Sequence, residues 1–107
     1  MTHVSTHVLN AVTGRPAAGV AVTLTDAGGA LLAQAATDDD GRVSSLTDET
    51  LSGVHRLTFD TASYFAAQSI VGFYPEVIIS FEITDTAAKY HVPVLLSPYA
   101  YSTYRGS

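Results

Sequence analysis

The sequence contains no cysteine, and its only lysine is Lys89. Without cysteine the chain has neither disulfide bonds nor thiolate ligands for a metal ion. Its 5 basic residues stand against 10 acidic residues, which gives a formal net charge of -5 at pH 7. So few cations cannot neutralise a run of phosphates or hold an anionic bilayer surface. We therefore expect no nucleic-acid partner and no membrane partner.

Long hydrophobic runs are also missing. No apolar stretch approaches the roughly 20 residues that span a bilayer, and the N-terminal residues lack the basic and apolar segments of a signal peptide. We therefore expect a cytoplasmic protein. The 107 residues suit one domain, residues 1–107, and the chain is 47% hydrophobic but only 14% charged. That balance argues against disorder and leaves little polar surface, which favours an oligomer.

The dominant hydrophobic period is two residues, which indicates β-strands. The clearest example is formed by Val20, Val22 and Leu24, which would share one face of a strand. Turns rich in glycine and aspartate separate the apolar segments. The predicted strands lie at residues 4–9, 20–25, 31–37, 42–43, 54–59, 77–83, 90–96 and 99–104.

One helix is predicted, at Thr61–Ser69, because its alanines favour a helix. Either Asp60 or Thr61 would be its N-cap, and Gly72 would end it. Many short strands with one helix indicate an antiparallel sandwich or barrel. Periodicity alone does not choose between these two architectures.

Because cysteine is missing, histidine, arginine and serine are the candidates for chemistry. His3 and His7 have the same parity in the first strand, so we expect them on one face. Two histidines at this spacing are compatible with zinc, but no third ligand is evident, so we expect no metal. His55 has the parity of Leu57 and Phe59 and is interpreted as a core histidine.

The C-terminal residues do not fit a purely structural interpretation. Tyr99, Tyr101 and Tyr104 fall within six residues, and disordered ends rarely hold so many aromatic side chains. This density is typical of an interface or a pocket. By position alone, Ser107 would be a frayed end, and Arg42 would be a solvated residue after an Asp-Gly turn.

The tail at 104–107 is Tyr-Arg-Gly-Ser and follows a histidine-containing strand at 90–98. Further blocks are 5–10 and 14–17 near the N-terminus, Asp-Gly-Arg at 40–42 and Phe-Tyr-Pro-Glu at 73–76. These blocks resemble the 5-hydroxyisourate hydrolase family, in order and over nearly the whole chain, and the tail is the most specific of them. Small departures are Lys89, where the family often has a second histidine, and Ala100, where it often has glycine.

The resemblance implies an all-β fold, a transthyretin-like antiparallel β-sandwich of two four-stranded sheets with one short α-helix. It implies a homotetramer, a dimer of dimers, with sites in a channel between the dimers. The implied activity is hydrolysis of 5-hydroxyisourate to 2-oxo-4-hydroxy-4-carboxy-5-ureidoimidazoline, a step of urate degradation. It implies no cofactor and no metal.

The same resemblance implies the site residues. The catalytic residues would be His7, Arg42, His91 and Ser107, and the substrate-binding residues would be His7, Arg42, Tyr104, Arg105 and Ser107. The two histidines would share the activation of water, and which one is the base stays open. Imidazole, with a pKa of about 6.5, suits proton transfer near neutral pH. A guanidinium suits the oxygen on which negative charge develops.

Two other functions remain open. A transthyretin-like carrier of a hydrophobic small molecule would use the same fold. Its channel, however, would be lined by small and apolar residues rather than by histidine and arginine. A structural or sugar-binding sandwich module would usually accompany a catalytic domain, and the 107 residues leave no room for one.

Overall fold

The computed structural model describes the whole chain, Met1–Ser107, as two β-sheets with one short helix. The elements are, in chain order, β1 (His3–Asn10), β2 (Arg15–Pro16), β3 (Ala21–Asp26), β4 (Leu31–Ala36), β5 (Arg42–Val43), β6 (Gly53–Phe59), α1 (Thr61–Ala66), β7 (Val77–Ile83), β8 (Lys89–Ser97) and β9 (Ala100–Thr103). The structure contains no helix with the length and apolar character of a membrane span.

The two sheets pack as a sandwich. One sheet has the strand order β2-β1-β8-β9, with β5 also paired to β1, and the other has the order β4-β3-β6-β7. Their inner faces meet in a core of 17 buried hydrophobic residues, to which α1 contributes Phe65. Val20, Val22 and Leu24 are fully buried in this core, as their shared parity predicts. The sandwich prediction is confirmed.

Two details differ from the predicted topology. The first sheet has five strands rather than four, because the two-residue strands β2 and β5 both pair with β1. The sandwich is also not wholly antiparallel. Strands β1 and β8 run parallel over their full paired length, from His3 beside Lys89 to Asn10 beside Leu96. Alternation of apolar residues marks a strand but not its direction or its partner.

The start of α1 agrees with the sequence. Asp60 is the N-cap, and its carboxylate accepts a hydrogen bond from the Ser63 backbone N–H at 3.1 Å. A side-chain oxygen in this position satisfies one of the N–H groups that have no partner inside the helix. Of the two predicted caps, the structure therefore selects Asp60.

The end of α1 differs from the prediction, which placed it at Gly72. Ser69 adopts a left-handed backbone with φ of 59°, and the Ile70 N–H donates to the Phe65 carbonyl at 2.9 Å. A hydrogen bond from an N–H to the carbonyl five residues earlier is characteristic of a Schellman motif at a helix C-terminus. A serine therefore makes the turn that sequence reasoning assigned to glycine, and the helix is one turn shorter than predicted.

The central strand β1 has two chemically different faces. Its side chains alternate between buried Val4, Thr6, Val8 and Asn10 and half-buried His3, Ser5, His7 and Leu9. The predicted common face of His3 and His7 is confirmed. This face points away from the core and is available for chemistry.

His55 belongs to the core. Its side chain is buried together with Leu57 and Phe59, and its Nδ1 lies 3.0 Å from the Gly53 carbonyl oxygen. A buried imidazole with a hydrogen-bond partner needs no functional explanation. The structural interpretation of His55 is confirmed.

Gly41 sets the position of Arg42. It adopts φ of 76°, and a Cβ built there would collide with the Val8 carbonyl oxygen. Its own carbonyl accepts a hydrogen bond from the Val8 N–H at 2.7 Å. Only glycine allows the turn to lie this close to β1. The next residue, Arg42, is thereby paired with His7 in the register of β5 with β1.

Replacing Gly41 by alanine is expected to lower the free energy of unfolding by about 2 kcal/mol or more. A left-handed backbone with a Cβ costs about 1–2 kcal/mol, and here the added methyl also meets backbone. Gly14→Ala is the matched control, because Gly14 has φ of 73° but nothing within 4 Å of the Cβ position. Urea denaturation of both variants measures the difference. Equal losses in the two variants would contradict the role assigned to Gly41.

Candidate active site

A polar cavity of about 290 Å³ lies against the outer face of β1, where β5, β8 and the C-terminal tail converge. Val43 is its only hydrophobic lining residue. The full lining is His3, Ser5, Thr6, Arg42, Val43, Ser44, Lys89, His91 and Ser107. Its volume is at the lower end of the range of about 300–1,000 Å³ that is usual for ligand pockets. Such a cavity fits a small polar molecule.

The parallel pairing of β1 with β8 brings the histidine and serine side chains together. In this register Ser5 lies opposite His91, and His3 lies opposite Lys89. Paired residues point to the same side of a sheet. Strand β5 pairs with the edge of β1 that does not contact β8, and it places Arg42 next to His7. Three segments far apart in the sequence therefore supply one cluster.

The His91 imidazole is held by a serine. Its Nδ1 lies 2.8 Å from the Ser5 Oγ, a hydrogen bond that fixes the orientation of the ring. Partial burial lowers the pKa of His91 below the ordinary value of 6.5, and the positive charge of Arg42 lowers it further. His91 is therefore neutral at pH 7, and a neutral imidazole can accept a proton.

The C-terminal tail closes one side of the cavity. The Gly106 N–H donates to the His91 carbonyl at 2.8 Å, and this pair forms an isolated antiparallel bridge after β9 has ended. A Cβ at Gly106 would collide with Cδ2 of the His91 ring. The absence of a side chain thus lets the tail backbone pack directly on the imidazole and brings Ser107 to the cavity.

The residues predicted for the site fall into three groups. Arg42, His91 and Ser107 line the polar cavity together. His7 does not line it but is paired with Arg42 across β1 and β5. The structure places Tyr104 and Arg105 elsewhere, in a second cavity of about 230 Å³ that His91 also borders.

The second cavity has a different character. Most of its lining is hydrophobic, supplied by β7, β8 and the tail, as Ile79, Phe81, Glu82, Tyr90, His91, Val92, Tyr104 and Arg105. The Arg105 guanidinium carbon lies 4.7 Å from the centre of the Tyr90 ring. Within one chain, Tyr104 and Arg105 therefore contact a different region from the one that Arg42 and Ser107 line.

Sequence reasoning did not assign Ser5, Lys89 or Gly106 to the site. Parity placed Ser5 on the face of His3, but only the pairing of β1 with β8 shows that it meets His91. Lys89 becomes a lining residue for the same reason. A glycine between two polar residues of the tail is a signal for close backbone approach, and it could have indicated Gly106.

The cluster is suited to hydrolytic chemistry. It combines a neutral imidazole with a guanidinium and an ammonium group, from Arg42 and Lys89, around a polar space. The imidazole can take a proton from water, and the cations can stabilise negative charge on oxygen. No group of three or more histidine, aspartate or glutamate side chains in the chain is arranged to hold a metal ion.

Comparison with known proteins agrees with this combination of fold and site. The 5-hydroxyisourate hydrolase of Salmonella typhimurium is 44% identical over 108 residues, covering 96% of this chain and 79% of the relative. The structure of Klebsiella pneumoniae 5-hydroxyisourate hydrolase has a TM-score of 0.91 at 36% identity, covering 100% of this chain and 94% of the other. Transthyretin from Sparus aurata has a TM-score of 0.89 at 30% identity, with 96% and 95% covered.

A family model also matches nearly the whole chain. The model described as the HIUase/Transthyretin family matches residues 4–106, which include all strand residues except His3 and all lining residues of the polar cavity except His3 and Ser107. The protein belongs to the HIUase/Transthyretin family.

Proposed function

We propose that this protein hydrolyses 5-hydroxyisourate, a flat, oxygen-rich purine derivative, as a step of urate degradation. The observation that carries the proposal is the neutral His91 imidazole, oriented by Ser5 and placed beside Arg42 in a small polar cavity. The names of the Salmonella and Klebsiella relatives support this substrate. One domain, residues 1–107, carries the activity in this proposal. A cytoplasmic location stays a prediction from the sequence.

In the proposed reaction, His91 is the general base. It takes a proton from water as the water oxygen attacks the amide-like carbonyl carbon of the six-membered ring. Arg42 stabilises the negative charge that develops on the carbonyl oxygen. The ring C–N bond then breaks, and the imidazolium of His91 returns the proton to the leaving nitrogen. The base ends the cycle neutral, as it began.

The remaining predicted residues support these two groups. Ser107, which lines the cavity, orders the attacking water through its hydroxyl. His7 is paired with Arg42 across β1 and β5, next to the groups that carry the proposed steps. Metal and cofactor have no part in the proposed steps.

The carrier function is less well supported. Transthyretin shares the fold, as the Sparus aurata structure illustrates. A site for a hydrophobic ligand would need an apolar lining. The polar cavity has only Val43 as a hydrophobic lining residue and contains four positively charged or titratable side chains, which are His3, Arg42, Lys89 and His91. This lining favours hydrolysis of a polar substrate.

Hydrolysis is tested by following the absorbance of freshly generated 5-hydroxyisourate with and without the protein. We expect decay to accelerate with protein concentration, and we expect the same rate after dialysis against a strong chelator. A chelator-induced loss that zinc restores would overturn the metal-free steps. No acceleration at all, with stoichiometric binding of a hydrophobic ligand instead, would favour the carrier.

The pH dependence of hydrolysis is expected to report His91. Because its pKa is lowered, the imidazole stays neutral below pH 6.5, and activity should fall only as the pH drops through that lower value. Arg42→Gln removes one cause of the lowered pKa. The fall in activity at acidic pH, the acidic limb of the pH profile, should therefore move toward higher pH. His91→Ala should lower kcat by about 100-fold or more and abolish the limb. Rates at fixed substrate over a pH series measure all three effects.

His55→Gln is the matched control for the pH experiment. His55 is buried in the core and bonded to backbone, away from the polar cavity. The variant should keep the acidic limb of the unmodified protein. Equal changes in the His55 and His91 variants would mean that the base has been misassigned.

We further propose that the protein assembles as a homotetramer, a dimer of dimers. Support comes from an aromatic surface, defined as Phe73, Tyr74, Tyr99 and Tyr101. Phe73 and Tyr99 are 69% and 73% exposed, and the Tyr74 ring packs edge-on against both Phe73 and Tyr101. Contiguous apolar surface of this kind marks an interaction site.

The assembly is tested by light scattering at micromolar concentration. We expect a mass about four times that of the 11.2 kDa chain, because burial of the aromatic surface favours association. Tyr99→Asp, which places a charge on this surface, should shift the mass downward. A monomer mass for the unmodified protein would contradict the tetramer.

A further inference from the structure

Tyr90 offers a fixed aromatic face in the second, mostly hydrophobic cavity. The side chain is only 5% exposed, and its hydroxyl accepts hydrogen bonds from the Thr84 and Asp85 backbone N–H groups at 3.1 and 3.0 Å. The Phe81 ring lies 6.2 Å away, centre to centre. The ring is therefore held at its hydroxyl end and along its side, and its orientation does not depend on the tail.

The tail crosses this ring at Arg105. The guanidinium carbon is 4.7 Å from the centre of the Tyr90 ring, within the range of a cation–π interaction. No hydrogen bond or ion pair engages the Arg105 side chain within the chain. Its contact with Tyr90 is thus the specific interaction that this side chain makes.

The next residue of the tail makes the next contact along β8. Gly106 bonds to the His91 carbonyl, in the same register that pairs Thr103 with Val94 in β9. Between these two points lies Pro93, which has no N–H and cannot donate to the ladder. The tail is therefore in register with β8 but lacks the continuous hydrogen bonds that would hold it there.

We propose that Tyr90 and Arg105 form a clamp that replaces the missing ladder bonds and positions Gly106 against His91 and Ser107 at the polar cavity. Both are positioning residues in this proposal, and Arg105 acts through the tail rather than as a substrate ligand. The catalytic consequence rests on the proposed hydrolysis. The clamp itself is a property of the folded chain and is tested without substrate.

The first experiment measures hydrogen exchange of the Gly106 amide by NMR. Arg105→Gln should speed this exchange by about 3- to 30-fold, the change in equilibrium that a cation–π contact supports. Arg105→Lys keeps a cation over the ring and should restore part of the protection. Tyr90→Leu should give the same loss as Arg105→Gln, and the double variant should lose no more than either single one.

Arg15→Gln is the matched control for loss of an arginine charge. Arg15 is exposed in β2, and its guanidinium makes no hydrogen bond or ring contact. Exchange at Gly106 should be unchanged in this variant. Unchanged exchange in Arg105→Gln as well would overturn the clamp. Because Arg105 is exposed, that variant leaves the core intact even if Tyr90→Leu fails to fold.

The second experiment separates positioning from substrate binding. If the clamp acts through the tail, Arg105→Gln and Tyr90→Leu should each lower kcat with KM nearly unchanged. Arg105→Gln should have no further effect in a chain that ends at Gly106. A raised KM in Arg105→Gln alone would instead make Arg105 a substrate ligand and overturn the proposal. An unmodified protein without hydrolytic activity would refute the proposed function, while exchange at Gly106 would still decide the clamp.

Discussion

The parallel pairing of β1 with β8 is the constraint on which the candidate site depends. It sets Ser5 opposite His91 and His3 opposite Lys89 on one face, while the alternate residues of both strands enter the core. Hydrophobic burial on the inner face thus determines the geometry on the outer face. A shift of one residue would turn the polar side chains into the core, so the register is held by the free energy of burying Val4 and Val8.

Much of the fold follows from local sequence patterns. The alternation of Val20, Val22 and Leu24 predicts a strand and its buried face, and Asp60 supplies a helix cap that local chemistry identifies. The direction and partner of β1 could not be found in this way. They depend on contacts between segments separated by most of the chain, and these leave no local periodicity. The left-handed turn at Ser69 could not be predicted either, because serine does not favour this backbone conformation.

The site also combines features that the sequence predicts with features that only the structure shows. Resemblance to the hydrolase family indicated His91, Arg42 and Ser107, and the structure brings these three side chains to one cavity. The hydrogen bond between Ser5 and His91 could not be predicted from the sequence, because the pairing of β1 with β8 brings the two residues together. The resemblance also indicated Arg105, as a substrate-binding residue, and this role stays a prediction. The position of the Arg105 guanidinium over the Tyr90 ring could not be read from the sequence, because it depends on how the tail crosses β8.

The hydrogen bond between Ser5 and His91 joins residues 86 positions apart. Closing so long a loop costs conformational entropy before the contact contributes any stability, and folds dominated by such contacts form slowly. The cavity can therefore exist only after β1 and β8 have paired, and no fragment that lacks either strand contains it. For this protein, the appearance of the cavity during refolding marks the formation of a long-range strand pair rather than of any local segment.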